Sequence, residues 1–154
     1  MTDLPTAPDD GRQSETALRV ARGARRLLRA HGFASVVEMP LPSGRRADIV
    51  ALGRDGRVVI VEVKSSVADF RADVKWPDYR LHCDELYFAI PTEAPSEIFP
   101  VDAGLIIADA YGAAYVRPAP EHRLAAATRR SMLLRFGHLA ADRLHQLWDR
   151  DLGP

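Results

Sequence analysis

A short turn between two apolar segments is the feature that most constrains how this chain can fold. The segments Ala47–Leu52 and Val58–Lys64 are typical of β-strands, and only five residues, Gly-Arg-Asp-Gly-Arg, join them. A three-residue loop would place Gly56 in the left-handed conformation that such loops prefer. Paired residue numbers then sum to 110, so Asp48 of the first strand faces Glu62 of the second. The turn alone therefore predicts two carboxylates side by side on a sheet.

The surroundings of this predicted pair indicate what it could do. Side chains alternate along a strand, so Lys64 shares the face of Glu62, roughly 6.5 Å further along. The other side chains on that face are apolar: Val50, Leu52, Val58 and Ile60. Like charges directly opposite one another destabilise a sheet, so either one carboxyl group is protonated or a cation lies between them. Oxygen ligands from two strands suit Mg²⁺ (or Mn²⁺), whereas the plainer alternative is an incidental Glu62–Lys64 salt bridge on a partly exposed face.

The order of predicted elements indicates an α/β fold with a central mixed β-sheet flanked by helices. A helix begins after Ser14 and ends at Gly32, and three strands, a partly helical stretch, three more strands and a final helix follow. The final helix is predicted from about Glu121, and Gly137 is predicted to break it in two. The meander of strands is expected to be antiparallel with a parallel addition. One domain is expected over residues 14–150, after a flexible leader at residues 1–13.

The zero net charge conceals an uneven distribution of basic and acidic side chains. The chain has 21 Lys+Arg and 21 Asp+Glu, but residues 12–46 carry eight basic and two acidic side chains, and residues 47–118 carry seven and twelve. Neutrality therefore does not exclude a nucleic-acid partner, and we expect a modest, salt-sensitive affinity. Only two of the basic residues are lysines, and one of them is Lys64. A compact ammonium fits a catalytic site where a guanidinium would not.

Arginines line one side of the predicted first helix. Arg19, Arg22, Arg26 and Arg29 follow at spacings of three, four and three, and no acidic residue interrupts them. The stripe is either a solvated face or a surface for phosphate groups. With a nucleic-acid partner, the candidate binding residues are these four together with Arg45, Arg46 and Lys75.

Several classes of protein are excluded or disfavoured by the sequence. Cys83 is the only cysteine, so neither an intrachain disulfide nor a cysteine-based zinc site can form. The longest apolar runs, such as Val58–Val61, are far shorter than the ~20 residues that a membrane helix needs. Residues 1–13 have no apolar stretch and do not resemble a signal peptide. We expect a cytoplasmic protein without a membrane partner or a small-molecule cofactor.

Three further features have two interpretations each. Trp76 and Tyr79 are expected in the core, with base stacking as the alternative. Ser65 and Ser66 are expected to end a strand, although they could position a phosphate. The final helix is expected to close one face of the sheet, and a homodimer contact is the alternative.

The residues resemble those of known nucleases. Asp48, followed on the next strand by Glu62-Val63-Lys64, resembles the signature of the PD-(D/E)XK superfamily, in its helix-strand-strand-strand-helix-strand core; Ala47 stands where that signature has Pro. Within the superfamily, the chain resembles the bacterial MmcB-like DNA repair proteins over about Ser14 to Leu147. This likeness depends on four segments, which are Arg45–Val50, Val61–Ser66, Asp69–Pro91 and Ala103–Ala110.

The resemblance implies a restriction-endonuclease-like core and a role for each residue of the motif. Asp48, Glu62 and the backbone carbonyl of Val63 would hold a divalent metal, and Lys64 would orient the attacking water and stabilise charge on the phosphate. Glu15 would approach the metal or its water, although a glutamate in a first helical turn also has a helix-dipole explanation. The implied activity is a Mg²⁺-dependent deoxyribonuclease of DNA repair that acts on damaged or branched DNA. The alternatives are a catalytically silent DNA-binding or recruitment module and, less favoured, a defence or RNA-processing nuclease.

Overall fold

The computed structural model describes residues 14–151, and their helices and strands assemble around one six-stranded sheet. The predicted leader at residues 1–13 lies outside the described residues. The helices are α1 (Glu15–Ala30), α2 (Val67–Ala72) and α3 (Ala126–Trp148), with short 3-10 turns at Trp76–His82 and Ser96–Ile98. The strands are β1 (Ala34–Pro40), β2 (Arg46–Leu52), β3 (Val58–Val63), β4 (Glu85–Ile90), β5 (Gly104–Ala108) and β6 (Ala113–Arg117).

The spatial order of the strands follows their order in the chain. Strands β1, β2 and β3 are antiparallel, β3, β4 and β5 are parallel, and β6 is antiparallel to β5. The crossover from β3 to β4 contains α2 and the first 3-10 turn. This arrangement confirms the predicted mixed sheet, because a parallel neighbour requires such a crossover and an antiparallel one does not.

The β2–β3 hairpin has the predicted register. Val50 pairs with Ile60 and Leu52 pairs with Val58, so paired residue numbers sum to 110. Gly56 has a φ of +88°, the left-handed conformation that the predicted loop requires. The positions of Asp48 and Glu62 therefore follow from the turn.

Helices cover both faces of the sheet. On one face, Val20, Ala24 and Leu28 of α1 pack against buried side chains of the central strands. A Cβ atom on Gly23 would lie 2.0 Å from the backbone oxygen of Asp109, so α1 reaches the turn after β5 only because this residue is glycine. On the other face, Phe136 and its neighbours on α3 join the second cluster of core residues. The prediction that the final helix closes one face is confirmed.

Two predictions about the final helix are wrong. The helix begins at Ala126 rather than near Glu121, because Leu124 is buried and its N–H donates to the carboxylate of Asp84. Gly137 does not break α3, which continues for 23 residues. A glycine in a helix costs only about 1 kcal/mol relative to alanine. Met132 and Phe136 before Gly137, and Leu139 and Ala140 after it, pack against the core and hold the helix on both sides of the glycine.

Arginines from both flanking helices bind the backbone of the edge strand β1. Arg25 of α1 donates to the hydroxyl and the carbonyl of Ser35, and Arg143 of α3 donates to the carbonyls of Val37 and Glu38. Glu38 has a φ of +50°, which is rare for a residue other than glycine, so the strand is locally distorted there. Within residues 14–151, none of the helices has both the length and the apolar character that crossing a membrane would require.

Candidate functional site

The two predicted carboxylates lie side by side at the end of the β2–β3 hairpin. Glu62 is 3% exposed, and Asp48 is half-buried. The backbone N–H of Asp48 donates to Oε1 of Glu62 at 3.0 Å, and the N–H of Val63 donates to Oδ2 of Asp48 at 2.8 Å. Each carboxylate is thus oriented by the backbone of the opposite strand. The hairpin itself positions the pair, without help from a distant element.

The surroundings of the pair favour its protonated form unless a cation is present. Burial raises the pKa of Glu62 well above its ordinary value, and the charge of Asp48 raises it further. Burial also raises the pKa of Asp48, against the lowering effects of the Val63 N–H and of Lys64. A carboxyl pair that resists ionisation in this way is favourable for a divalent cation, which replaces the proton and satisfies both charges.

Lys64 lies next to the pair and is held by a residue that the sequence did not single out. Its side chain is buried, and its Nζ lies 2.7 Å from Oδ2 of Asp73. Asp73 ends α2, where its other oxygen accepts the N–H of Lys75. The hydroxyl of Ser66 accepts the N–H of Asp69 and so caps the start of the same helix. The residue that fixes the amine of Lys64 therefore lies at the end of the short helix α2.

These groups line one cavity of about 450 Å³. Its walls include Asp48, Glu62, Val63, Lys64 and Asp73, with Ser14 and Ala17 at the start of α1. In the described part of the chain, no three His, Cys, Asp or Glu side chains are grouped to hold a metal ion. Mg²⁺ nevertheless needs only one or two carboxylates, since waters and substrate phosphates complete its shell. The two carboxylates and the oxygen chemistry of this cavity fit such an ion.

Glu15 lies at the start of α1 but is not among the side chains that line this cavity. Its carboxylate is exposed and pairs with Arg19 one helical turn later. Arg19 is thereby partly neutralised, so the arginine stripe has one acidic neighbour, at the i, i+4 spacing that is usual for ion pairs in a helix.

A basic groove of about 1190 Å³ runs between α1, β1 and the β2–β3 turn. Five arginines line it, namely Arg22, Arg25, Arg26, Arg29 and Arg54. Asp48 lines both the groove and the carboxylate cavity. The structure therefore brings three arginines of the predicted stripe together with two that the sequence did not single out.

The remaining predicted basic residues lie elsewhere. Arg45 pairs with Asp78 at 3.1 Å, and Arg46 lies 3.9 Å from Glu38. Lys75 is exposed on the 3-10 turn region. None of these three lines the groove.

Aromatic and buried polar residues after β3 are structural. Tyr79 is buried in the core beneath α3, and Trp76 packs edge-on against Phe88, which agrees with the core interpretation. Burial raises the pKa of the Cys83 thiol to about 12, so this cysteine is inert packing. Asp84, also buried, forms a two-pronged ion pair with Arg129 of α3. No local sequence signal connects residues that lie 45 positions apart.

The fold and the site together define the class: an α/β protein whose mixed sheet brings a carboxylate pair and a buried lysine to one cavity. The model of the MmcB-like family, described as DNA repair protein MmcB-like, matches residues 4–151, and the chain belongs to this family.

Two solved structures are similar to the chain. A protein of unknown function from Silicibacter pomeroyi is 44% identical with a TM-score of 0.87, over 93% of this chain and 98% of that one. A repair endonuclease from Pyrococcus abyssi is 19% identical with a TM-score of 0.33, over 57% of this chain and 40% of that one. The second likeness is too slight to support an argument. A search of curated proteins finds no match.

The raised pKa values predict how metal and pH act together on stability. Above pH 4.5, the ordinary glutamate pKa, the unfolded chain releases a proton that the folded pair still retains. The free energy of unfolding therefore falls as the pH rises from 4.5 to the raised pKa of Glu62. A divalent cation removes this loss by taking the place of the proton. We therefore expect Mn²⁺ to raise the melting temperature more at about pH 8 than at about pH 5, as measured by scanning calorimetry.

Glu62→Gln is the matched control for this measurement. Glutamine keeps the shape and the hydrogen bond but has no proton to release, so the metal-free variant is expected to melt above the wild type at high pH. It is also expected to show no response to Mn²⁺. A wild type whose response to Mn²⁺ is the same at both pH values, or equals that of the variant, would contradict the prediction.

Proposed function

We propose that this protein is a metal-dependent deoxyribonuclease that hydrolyses phosphodiester bonds in DNA repair. One observation carries the proposal: buried Glu62 and half-buried Asp48 lie side by side in the cavity that also contains the amine of Lys64. A protein that only bound DNA would gain nothing from two carboxylates at a site for phosphate, because like charges repel.

The roles of the residues follow from their positions. Asp48 and Glu62, together with the carbonyl of Val63, would hold Mg²⁺ or Mn²⁺. Such an ion lowers the pKa of water and relieves negative charge at the phosphate during hydrolysis. The amine of Lys64, fixed by Asp73, donates hydrogen bonds towards the attacking water and the charge that develops on the phosphate.

The order of the elements supports the same function. The succession α1, β1, β2, β3, α2 and β4 is the helix-strand-strand-strand-helix-strand core that the resemblance to PD-(D/E)XK nucleases implies. Asp48 lies on the second strand of that core, and Glu62 and Val63 lie on the third, with Lys64 immediately after it. Membership of a DNA repair family agrees with DNA as the substrate.

A metal titration with a panel of DNA substrates tests the proposal. Plasmid and branched DNA are incubated with the full chain, with increasing Mg²⁺ or Mn²⁺, and with a chelator. We expect cleavage that depends on the cation and that Glu62→Ala abolishes. Equal, metal-independent behaviour of the wild type and the variant would refute the nuclease function.

A catalytically silent DNA-binding module is the second candidate. The ion pair between Lys64 and Asp73 favours it, because it satisfies the lysine without any substrate. In that case DNA binding persists in the titration, no substrate of the panel is cut, and Glu62→Ala binds DNA like the wild type.

A further inference from the structure

We propose that the basic groove beside α1 binds an unpaired strand of DNA and leads it to Asp48. The groove is the space of about 1190 Å³ between α1, β1 and the β2–β3 turn. The part of the proposal in which the strand reaches the carboxylates rests on the proposed nuclease function. Binding by the groove does not depend on that function. The proposal therefore specifies the substrate class as DNA with a single-stranded part.

The five arginines of the groove outnumber its two acidic side chains, Glu38 and Asp48, so the groove favours an anionic occupant such as a phosphate backbone. Arg25 and Arg26 already bind Ser35 and the carbonyl of Tyr111, so these two shape the walls. Within residues 14–151, the guanidinium groups of the other three donate no hydrogen bond to the protein: Arg22, Arg29 and Arg54. All three are exposed, so their donors are available to phosphate oxygens.

The apolar lining of the groove distinguishes an unpaired strand from a duplex. The groove is also lined by four apolar residues, Leu18, Phe33, Val37 and Leu52. In a duplex the faces of the bases are stacked against each other, and a protein meets phosphates and base edges only. An unpaired strand offers its base faces, which stack on aromatic and apolar side chains between the phosphate contacts.

The size and the position of the groove agree with this occupant. Its volume exceeds the about 300–1,000 Å³ that is usual for small-molecule sites, so a longer ligand fits it better. The groove contains Asp48, which also lines the carboxylate cavity. A strand bound along the arginines therefore has one of its phosphates near the proposed metal ligands.

Binding measurements without divalent cations test the proposal separately from cleavage. Fluorescence anisotropy measures the affinity for three labelled ligands of equal length: oligothymidylate, an abasic strand and a duplex. A length of about 12 nucleotides is within the usual range of single-strand binding sites. We expect the full chain to bind oligothymidylate about tenfold more tightly than either of the others, because only it offers free bases. A duplex that binds as tightly as the single strand, or an abasic strand that binds as tightly as oligothymidylate, would overturn the proposal.

Charge-matched variants locate the binding. Alanine at Arg22, Arg29 and Arg54 is expected to weaken oligothymidylate binding on the order of 100-fold and to reduce the slope of log affinity against log salt by about 2. The control removes three exposed arginines from the other side of the sheet, on α3 and just before it: Arg123, Arg130 and Arg135. Equal effects of the two triple variants would overturn the groove assignment.

Replacing the aromatic ring of Phe33 distinguishes base stacking from a purely structural role of this residue. Phe33→Leu keeps an apolar side chain at the end of α1 but removes the aromatic face, so it is expected to weaken binding of oligothymidylate about tenfold without changing the salt slope. The abasic strand is expected to bind the variant and the wild type equally. A parallel loss for both strands would indicate a merely structural role and contradict base stacking at this residue.

The two proposals fail in different ways. Groove binding that persists without any metal-dependent cleavage would leave this inference standing and refute the nuclease. Cleavage of duplex DNA with no preference for an unpaired strand would refute this inference and leave the nuclease standing.

Discussion

Replacing Lys64 with alanine is expected to slow DNA cleavage on the order of 10²–10³-fold, the usual effect of removing one donor from a developing anion. The amine lies in the same cavity as Asp48 and Glu62, and its proposed role is to stabilise charge that appears in the transition state. It is not a metal ligand, so the affinity for Mn²⁺, measured by titration calorimetry, is expected to change little. Single-turnover cleavage at saturating metal is the measurement that isolates this loss.

Asp73→Asn supplies the companion to that experiment. Asparagine keeps a hydrogen bond to Nζ of Lys64 but removes the negative charge of Asp73, so the amine is expected to be held less firmly beside the carboxylates. The rate of single-turnover cleavage is expected to fall, but less than in Lys64→Ala, and the affinity for Mn²⁺ is expected to stay the same. If Lys64→Ala cleaves as fast as the wild type, or loses metal binding together with cleavage, the role assigned to the lysine is wrong.

Replacing Arg129 with alanine is expected to lower the free energy of unfolding by about 3–5 kcal/mol. Its guanidinium donates to both oxygens of Asp84, which is 2% exposed, and to the carbonyl of Gly56. The variant leaves a buried carboxylate without a counter-ion, although the N–H groups of Val58 and Leu124 still reach it. The loss corresponds to a fall of about 10 °C in melting temperature for a domain of this size.

The dependence of stability on acidic pH is a second measurement that tests the Arg129→Ala prediction. Hydrogen bonds from Arg129, Leu124 and Val58 outweigh burial and hold the pKa of Asp84 at about 2, below its ordinary 3.8. The stability that Asp84 contributes is therefore present above about pH 4 and is lost as the pH falls towards 2. Arg129→Ala should lose most of that acid-sensitive part, as urea unfolding at several pH values would show.

Arg130→Ala is the control for the stability experiment. This residue is exposed on the same helix, so its removal should change the free energy of unfolding by no more than about 0.5 kcal/mol. A similar small change for Arg129→Ala would mean that the Asp84 ion pair contributes little to the folded state.

Local sequence rules predicted the carboxylate pair because the hairpin is a local structure. Gly56 and the five-residue connection determine the turn, and the turn determines which residues pair, so Asp48 meets Glu62 whatever the remainder of the chain does. The alternation of side chains then places Lys64 on the same face. The arginines of α1 follow similarly from helical spacing.

Local sequence rules do not predict contacts between distant segments of the chain. Asp73 anchors Lys64 only because α2 turns back over the end of β3, and a polar stretch after a strand does not specify that turn. The extent of α3 depended on the same kind of contact, since burial of Leu124 against Asp84 delays its start.

Turn chemistry and side-chain periodicity were therefore enough to identify the residues proposed for chemistry, their register and the α/β order of elements. The surroundings of these residues depend on the complete fold: the partner of Lys64, the groove between α1 and β1, and the ion pair that connects α3 to the sheet. The difference lies in the range of the interactions. Turn geometry and strand alternation act over a few residues, whereas burial and ion pairing depend on which distant segments the whole fold brings into contact.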